Sequence, residues 1–393
     1  MSLDSETRRQ ILDSVDRFAR DSIAPRAAEI DSSDEFPRDL WTTAAELGLF
    51  RLGIPEAYGG VGRDLVTPIL ISERIARDCA AFALTFNNTT DSVVPIVMAA
   101  SDELKQRYLP ALANGDLVPC LSITEPQGGS DMAGIQTFAQ RDGAEYVLNG
   151  RKLWCTNAPI GDLYTVFAKT DQDAGNRGIS AFLIERQTNG FSVGPAEPLI
   201  GLHGSPTGEI ILEDLRVSVS ARLGEEGEGF RIAALTLDES RLHCAATALG
   251  VATAALEHAR RYACERVQFG KPIIEHQGMQ FLFAELATEL AAARMLWEST
   301  LGMLQAEHDR RGSTFAAMTK LLCTDLCMKI TTEAVQIFGA NGLSRNYPVE
   351  RLMRDAKAFQ IFDGTSQIQK WLIARQLQKD GLPFGDASAR RYE

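Results

Sequence analysis

The hydrophobic period changes twice along this 393-residue chain, and that change restricts the fold more than any single residue does. From about Thr7 to Leu112 apolar residues recur at helical spacing. Ile11, Val15 and Phe18 stand at i, i+4 and i+7, and Pro25 follows as a stop. Pro37 opens a helix that Gly48 closes, and Ser101 is an N-cap for a helix carrying Leu104, Tyr108 and Leu112, ended by Asn114-Gly115. Between about Pro119 and Arg222 the period becomes that of strands. Tyr146-Val147-Leu148, Asn149-Gly150 and Arg151-Lys152-Leu153-Trp154 read as a hairpin around a type I′ turn. Residues 163–168, 179–184 and 210–219 are further strands, and no helical crossover separates them, which predicts an antiparallel barrel or sandwich.

Long helices return from about Phe230. Leu282, Leu286, Leu290 and Ala293 form one stripe, and Leu321, Ile330, Val335 and Ile337 belong to another segment. Breaks near Lys271-Pro272, Gly312 and Gly339–Gly342 divide the region into a four-helix bundle. The expectation is an α+β multidomain chain: a helical domain over 1–119, a β-barrel domain over 120–230, a helical bundle over 231–393, and a loose tail after Pro383.

The charge balance of −12 argues against a general nucleic-acid binder. No apolar run approaches the roughly 20 residues of a membrane span, and the polar start Met1-Ser2-Leu3-Asp4 gives no signal-peptide pattern. Seven scattered cysteines suit a reducing compartment, so the cytoplasm is the expected address. Cys323 and Cys327 share a helix face without a nearby histidine; they read as core residues, and no metal site is expected.

Four segments carry groups suited to chemistry. Thr124-Glu125-Pro126-Gln127-Gly128-Gly129-Ser130-Asp131 lets backbone approach a ligand, although such loops are commonly plain turns. Trp154-Cys155-Thr156-Asn157 offers an aromatic face beside a hydroxyl for a flat heterocycle; its plain reading is a core tryptophan. In Glu265-Arg266-Val267-Gln268-Phe269-Gly270-Lys271, Arg266 suits a phosphate, or simply a helix end. Ile361-Phe362-Asp363-Gly364-Thr365-Ser366-Gln367 sets a carboxylate at a helix start, where Asp363 is also a natural N-cap.

In order and interval these segments resemble the acyl-CoA dehydrogenase family over nearly the whole chain. Further matches are Ile54–Gly60, Asn149–Lys152, Gly227–Phe230, Glu275-His276-Gln277, Gln336–Gly342, Tyr347–Arg351 and Arg354–Lys357. The resemblance implies a homotetramer with non-covalent FAD, an acyl-CoA substrate and electron-transfer flavoprotein as electron acceptor. It implies that Leu121, Ser122, Thr124, Trp154 and Thr156 border the isoalloxazine ring. Arg266, Phe269 and Gln277 would serve FAD of a neighbouring subunit, Gln336, Gly339 and Ala340 would contact it across the interface, and Thr365 and Gln367 would hold its phosphates. Ser130, Asp238 and Arg241 match positions that touch the CoA moiety, and Gly364 stands with them on the substrate side.

The family reaction removes an α-proton with a carboxylate while hydride leaves the β-carbon for flavin N5. Where relatives carry glutamate, this chain has Asp363. Other relatives place the glutamate on the first bundle helix, here Ser240, and Glu239 is one residue off, about 100° around a helix. Aspartate is shorter by about 1.5 Å, and a misplacement of about 1 Å can cost on the order of 100-fold in rate. Three enzymatic readings follow. Asp363 reaches the α-carbon after a local shift; or Asp91 is the base, as in the relatives that desaturate alicyclic thioesters by 1,4-elimination; or the chain resembles nitroalkane oxidase, against which Lys370 stands where that enzyme has arginine. A flavoprotein scaffold without catalysis is the reading from another class. For Asp91 the plain reading is a surface or capping residue.

Overall fold

The computed structural model describes residues 3–62, 64–306 and 310–382, and it divides into two compact units, Met1–His243 and Cys244–Glu393. The tail expected after Pro383 lies outside the described residues. Among these, no helix is long and apolar enough to cross a membrane.

The first unit opens with helices α1 (Ser5–Phe18), α2 (Ala27–Ser33), α3 (Arg38–Glu46), α4 (Val66–Ala76), α5 (Ala80–Ala99) and α6 (Asp102–Ala113). Their ends follow local chemistry. The Asp4 carboxylate accepts from the amides of Glu6 and Thr7, and Ser101 Oγ accepts from Leu104 N at 3.3 Å. Gly48 and Gly115 take positive φ just past α3 and α6. Pro25 does not stop the chain at Phe18: a π-turn over Ala19–Ile23 and a 3₁₀ turn carry it into α2. α5 is buried along most of its length, polar Thr85, Asn87, Thr89, Asp91 and Ser92 included, so it has no amphipathic period by which a sequence reading would outline it.

Eight strands follow: β1 (Pro119–Ser122), β2 (Phe138–Asp142), β3 (Glu145–Thr156), β4 (Leu163–Lys169), β5 (Ile179–Glu185), β6 (Phe191–Ala196), β7 (Thr207–Ser218) and β8 (Arg222–Leu223). They form one sheet in the order β6-β7-β3-β2-β4-β5-β8, with β1 beside β4. The sheet is mixed rather than antiparallel, because β1 and β4 run parallel. The excursion through β2 and β3 supplies the crossover that parallel pairing needs, so the lack of a helix between the strands did not enforce an antiparallel sheet. β4 and β5 are buried on both faces. Leu163, Phe167, Ile179, Ala181 and Leu183 pack with Val93, Ile96 and Leu109 of the helices, while Tyr164, Val166, Phe182 and Ile184 pack with Tyr146, Ile210 and Leu212. Period-two alternation therefore feeds two cores, which is why these strands read as unbroken apolar runs.

The predicted hairpin at Asn149-Gly150 is overturned. β3 continues through it, and the turn lies at Gly143-Ala144, where Asp142 pairs with Glu145. The register between β3 and β7 shifts at Leu148/Gly150. Asn149 Nδ2 donates to Asp214 Oδ1 at 3.1 Å, and Asn149 Oδ1 accepts from Asp214 N at 2.8 Å. The asparagine side chain thus closes a bulge instead of a turn, and a Cβ at Gly150 would meet Thr137 Oγ1 at 2.4 Å.

Helix α7 (Gly229–Glu265) runs through the boundary of the units, and α8 (Gln277–Ala306), α9 (Arg310–Phe338), α10 (Val349–Phe359) and α11 (Ser366–Asp380) follow. In the second unit α9 packs against α8, α10 and α11. Gly312 lies inside the first turn of α9, so the chain does not break at that residue as expected. Between α7 and α8 a small hairpin, β9 (Val267–Gln268) with β10 (Lys271–Pro272), turns at Phe269 and Gly270, both at positive φ.

Candidate functional site

In the first unit a cavity of ≈ 470 Å³, its mouth included, is lined by Asp64, Asp91, Glu239 and His243 together with Val93, Val94, Val97 and Met98. Asp91 is 5% exposed and sits in the middle of α5, so it is neither a surface nor a capping residue. His243 Nε2 lies 3.7 Å from Asp91 Oδ1, and His243 Nδ1 lies 3.0 Å from Ser72 Oγ. Burial pushes the His243 imidazole down to about 3, so at neutral pH it is uncharged. Asp64 is held by Arg8 at 3.3 Å and by Thr67. Glu239 turns into the Asp91 cavity. Neither Glu239 nor His243 stood out in the sequence as part of such a group; their four-residue spacing on α7, which sets them on one helix face, is the signal that was there to read.

Near the C-terminal end of β3, Leu153 N donates to Thr124 O at 2.8 Å and brings the Thr124–Asp131 loop alongside the strand. Lys152 anchors that loop from below, with Nζ at 2.6 Å from Glu125 Oε1 and 3.1 Å from Ile123 O. Glu125 also accepts from the amides of Gln136 at 2.6 Å and Thr137 at 3.0 Å. Burial opposes its ionisation, but Lys152 and these donors outweigh burial and hold the carboxyl below its ordinary range. A second register shift in β3 puts Trp154 at φ 57° and leaves it 55% exposed, so it is not a core tryptophan. Leu121 and Ser122 lie in β1, which pairs with β4, and Thr156 pairs with Thr207 of β7. Ser130 is exposed on the loop. Asp238 and Arg241 are buried and paired with each other, and Arg241 Nε finds no hydrogen-bond partner among the described residues.

In the second unit a hollow of ≈ 570 Å³ is lined by Arg266, Gly339 and Ala340 with Tyr262, Phe338 and Asn341. Tyr262 and Phe338 stack at 4.1 Å, and Asn341 Nδ2 donates to the Tyr262 hydroxyl at 3.0 Å. Gln277 and Gln336 are exposed outside this lining, and Phe269 is 95% exposed at the tip of its hairpin.

The N-cap of α11 is Thr365, whose hydroxyl accepts from Ile368 N at 3.2 Å; Asp363 is therefore not the cap. Asp363 and Gly364 form a turn with φ of 54° and 88°. Gln369 Nε2 donates to the carbonyls of Asp363 and Gly364 at 3.0 and 2.9 Å, and Lys320 Nζ donates to Gly364 O at 2.8 Å. Lys320 and Gln369 are fully buried. Lys320 was not singled out in the sequence; a lysine in the stretch Ala316-Ala317-Met318-Thr319-Lys320-Leu321-Leu322 is the signal that was there to read. Thr365 stands at the amide-rich mouth of α11 and Gln367 is exposed in its first turn, a setting that suits an anionic group.

Three segments match acyl-CoA dehydrogenase domains: the N-terminal domain over residues 5–116, the middle domain over 120–215 and the C-terminal domain over 227–378. An acyl-CoA dehydrogenase of Bacillus subtilis (strain 168) is 42% identical over 364 residues, covering 92% of this chain and 95% of that protein. The cyclohex-1-ene-1-carbonyl-CoA dehydrogenase of Syntrophus aciditrophicus (strain SB) is 40% identical over 377 residues, covering 95% and 90%. Among solved structures, the butyryl-CoA dehydrogenase of Megasphaera elsdenii superposes with a TM-score of 0.92 at 37% identity, covering 96% of this chain and all of that one.

Proposed function

The chain belongs to the acyl-CoA dehydrogenase family of FAD-dependent oxidoreductases, and we propose that its substrate is a CoA thioester of a small carbocyclic acid, with Asp91 taking the proton. The observation that carries this reading is the place of Asp91. A carboxylate buried at mid-helix is costly unless its surroundings use it. Here it shares a cavity with apolar Val93, Val97 and Met98 and with an uncharged histidine. 1,4-elimination needs a base away from the α-carbon, and Asp91 lies in a helix of the first unit, apart from the Asp363 turn of the second. The Syntrophus aciditrophicus relative, named for a cyclohexene thioester, supports the same substrate class.

The flavin, when bound, accepts the hydride. Leu121, Ser122, Thr124, Trp154 and Thr156 would border its ring system. Arg266, Phe269, Gln277, Gln336, Gly339 and Ala340, with Thr365 and Gln367, would hold the rest of it, some of them from a neighbouring subunit of a homotetramer. The hollow beside Arg266 and the open amides at the start of α11 fit phosphate oxygens. Ser130, Asp238, Arg241 and Gly364 would receive the CoA thioester. Electron-transfer flavoprotein is the acceptor in this reading, and the cytoplasm the address.

A second reading keeps Asp363 as the base. The observation in its favour is the turn that Gln369 and Lys320 brace, which fixes the backbone that would bind the thioester oxygen. Anaerobic flavin bleaching against straight, branched and alicyclic CoA thioesters separates the two. The expected result is rapid bleaching by cyclohex-1-ene-1-carboxyl-CoA that Asp91→Asn abolishes; full bleaching in that variant, with loss in Asp363→Asn, assigns the base to Asp363.

A further inference from the structure

The geometry points to Asp325 as a positioning residue for the Asp363–Gly364 turn, because it ties together the two ends of the loop that carries the turn. This rests on the reading of that turn as the seat of the thioester oxygen, which both assignments of the base share.

The chain leaves α10 at Phe359 and enters α11 at Ser366, and six residues, 360–365, connect them. Ile361 N and Phe362 N both turn back to Ala358 O, at 2.9 and 3.2 Å, and Ser366 N closes the loop on Gln360 O at 3.0 Å. One side chain then reaches across from α9. Asp325 Oδ1 accepts from Gln360 Nε2 at 2.6 Å and from Ser366 Oγ at 2.9 Å, one donor from each end of the loop. Lys357 Nζ donates to Gln360 Oε1 at 2.9 Å, which fixes the way that amide faces.

The far side of the loop is held separately. Gln369 and Lys320 donate to the carbonyls of Asp363 and Gly364, and a Cβ at Gly364 would stand 2.7 Å from Gln369 Nε2. Asp363 occupies the narrow left-handed region, so the turn moves with its ends rather than flexing between them. A donor serves a developing oxyanion only within about 0.5 Å of its place, and a misplacement of about 1 Å costs on the order of 100-fold in rate. Anchoring both ends to one oxygen on a third helix restricts that drift. The charge of Asp325 opposes a developing oxyanion. Geometry is therefore what the residue contributes, and a neutral acceptor of the same shape serves as well.

The test is the carbonyl stretch of cyclohexa-1,5-diene-1-carboxyl-CoA, the product of 1,4-dehydrogenation, labelled with carbon-13 at the thioester carbon and bound to the oxidised holoenzyme. Hydrogen bonding to the oxygen lowers this frequency relative to the free thioester, whichever aspartate takes the proton. Asp325→Leu is expected to lose most of the downshift and to lower kcat about 10- to 100-fold, with little change in KM. Asp325→Asn, whose amide oxygen can accept from both donors, is expected to keep the downshift. Ser366→Ala cuts one end of the tie and is expected to lose part of it; it serves where Asp325→Leu does not fold. An undiminished downshift in Asp325→Leu and Ser366→Ala overturns the role of Asp325, since a loss of stability alone leaves the band where it was. Loss of the downshift in Asp325→Asn overturns the geometric account. A wild-type band at the frequency of the free thioester overturns the seating of the thioester on this turn, and the proposal with it.

Discussion

The ammonium of Lys152 lies 2.6 Å from the carboxylate of Glu125, with the two side chains 0% and 2% exposed. Twenty-seven residues of chain separate them, and the pair fastens the loop that follows β1 to the strand that carries Trp154. Removing one partner of a buried pair strands the other, at a cost of about 3–5 kcal/mol. Lys152→Met is therefore expected to lower the urea midpoint strongly, and Glu125→Gln less, since the amide still accepts from Lys152. The carboxyl of Glu125 is held low in the fold, so its contribution is present above its unfolded value of 4.5 and is lost as pH falls through the lower folded value. Equal midpoints for wild type and Lys152→Met would contradict this role.

His243 makes the first unit sensitive to acid at milder pH. Its folded value of about 3 lies below the ordinary 6.5, so between those values the unfolded chain binds a proton that the folded chain refuses. Stability is complete above 6.5 and falls as the pH drops towards 3, by on the order of 4 kcal/mol over the whole window. His243→Gln should flatten urea midpoints between pH 7 and pH 4. A slope identical to wild type would mean that His243 is protonated in the fold.

Asp363 sits at φ 54°, a region that aspartate and asparagine enter far more readily than glutamate or valine. Asp363→Asn is expected to stay within about 0.5 kcal/mol of wild type, and Asp363→Val to lose roughly 1–2 kcal/mol. Asp363→Glu should be less stable than Asp363→Asn, so restoring the usual family side chain strains this turn. Thermal unfolding of the three variants tests the order, and a glutamate variant as stable as the asparagine one would contradict it.

Gly150 has no room for a side chain. A Cβ there would stand 2.7 Å from Thr137 Cβ and 2.8 Å from Thr137 Cα. Because backbone as well as side chain is in the way, Gly150→Ala should cost about 1–3 kcal/mol and Thr137→Ala should not rescue it. Recovery of full stability in the double variant would show that the bulge adapts.

What was legible in the chain was what depends on neighbours in sequence. The change of period marked helices, then strands, then helices. Ser101 capped α6, Gly48 ended α3, and the motifs carried the family. Even where a local rule was sound it met competition: Asn149-Gly150 is a good turn, but the pairing of β3 with β7 across Asn149 and Asp214 made it a bulge. The same held for Asp363, a good N-cap by type, where Thr365 took the position and Asp363 was left in the turn before it.

Sequence alone determined the family, the order of elements and the presence of Asp91 and Asp363. Only the tertiary structure decided that Asp91 faces His243, which comes from 152 residues further along, that Glu239 turns into the same cavity, and that Lys320 reaches the carbonyl of Gly364. The physical reason is that period and propensity report which face of an element is apolar. Which distant polar groups meet across that face is set by packing, where close fit and the cost of burying charge select the partners.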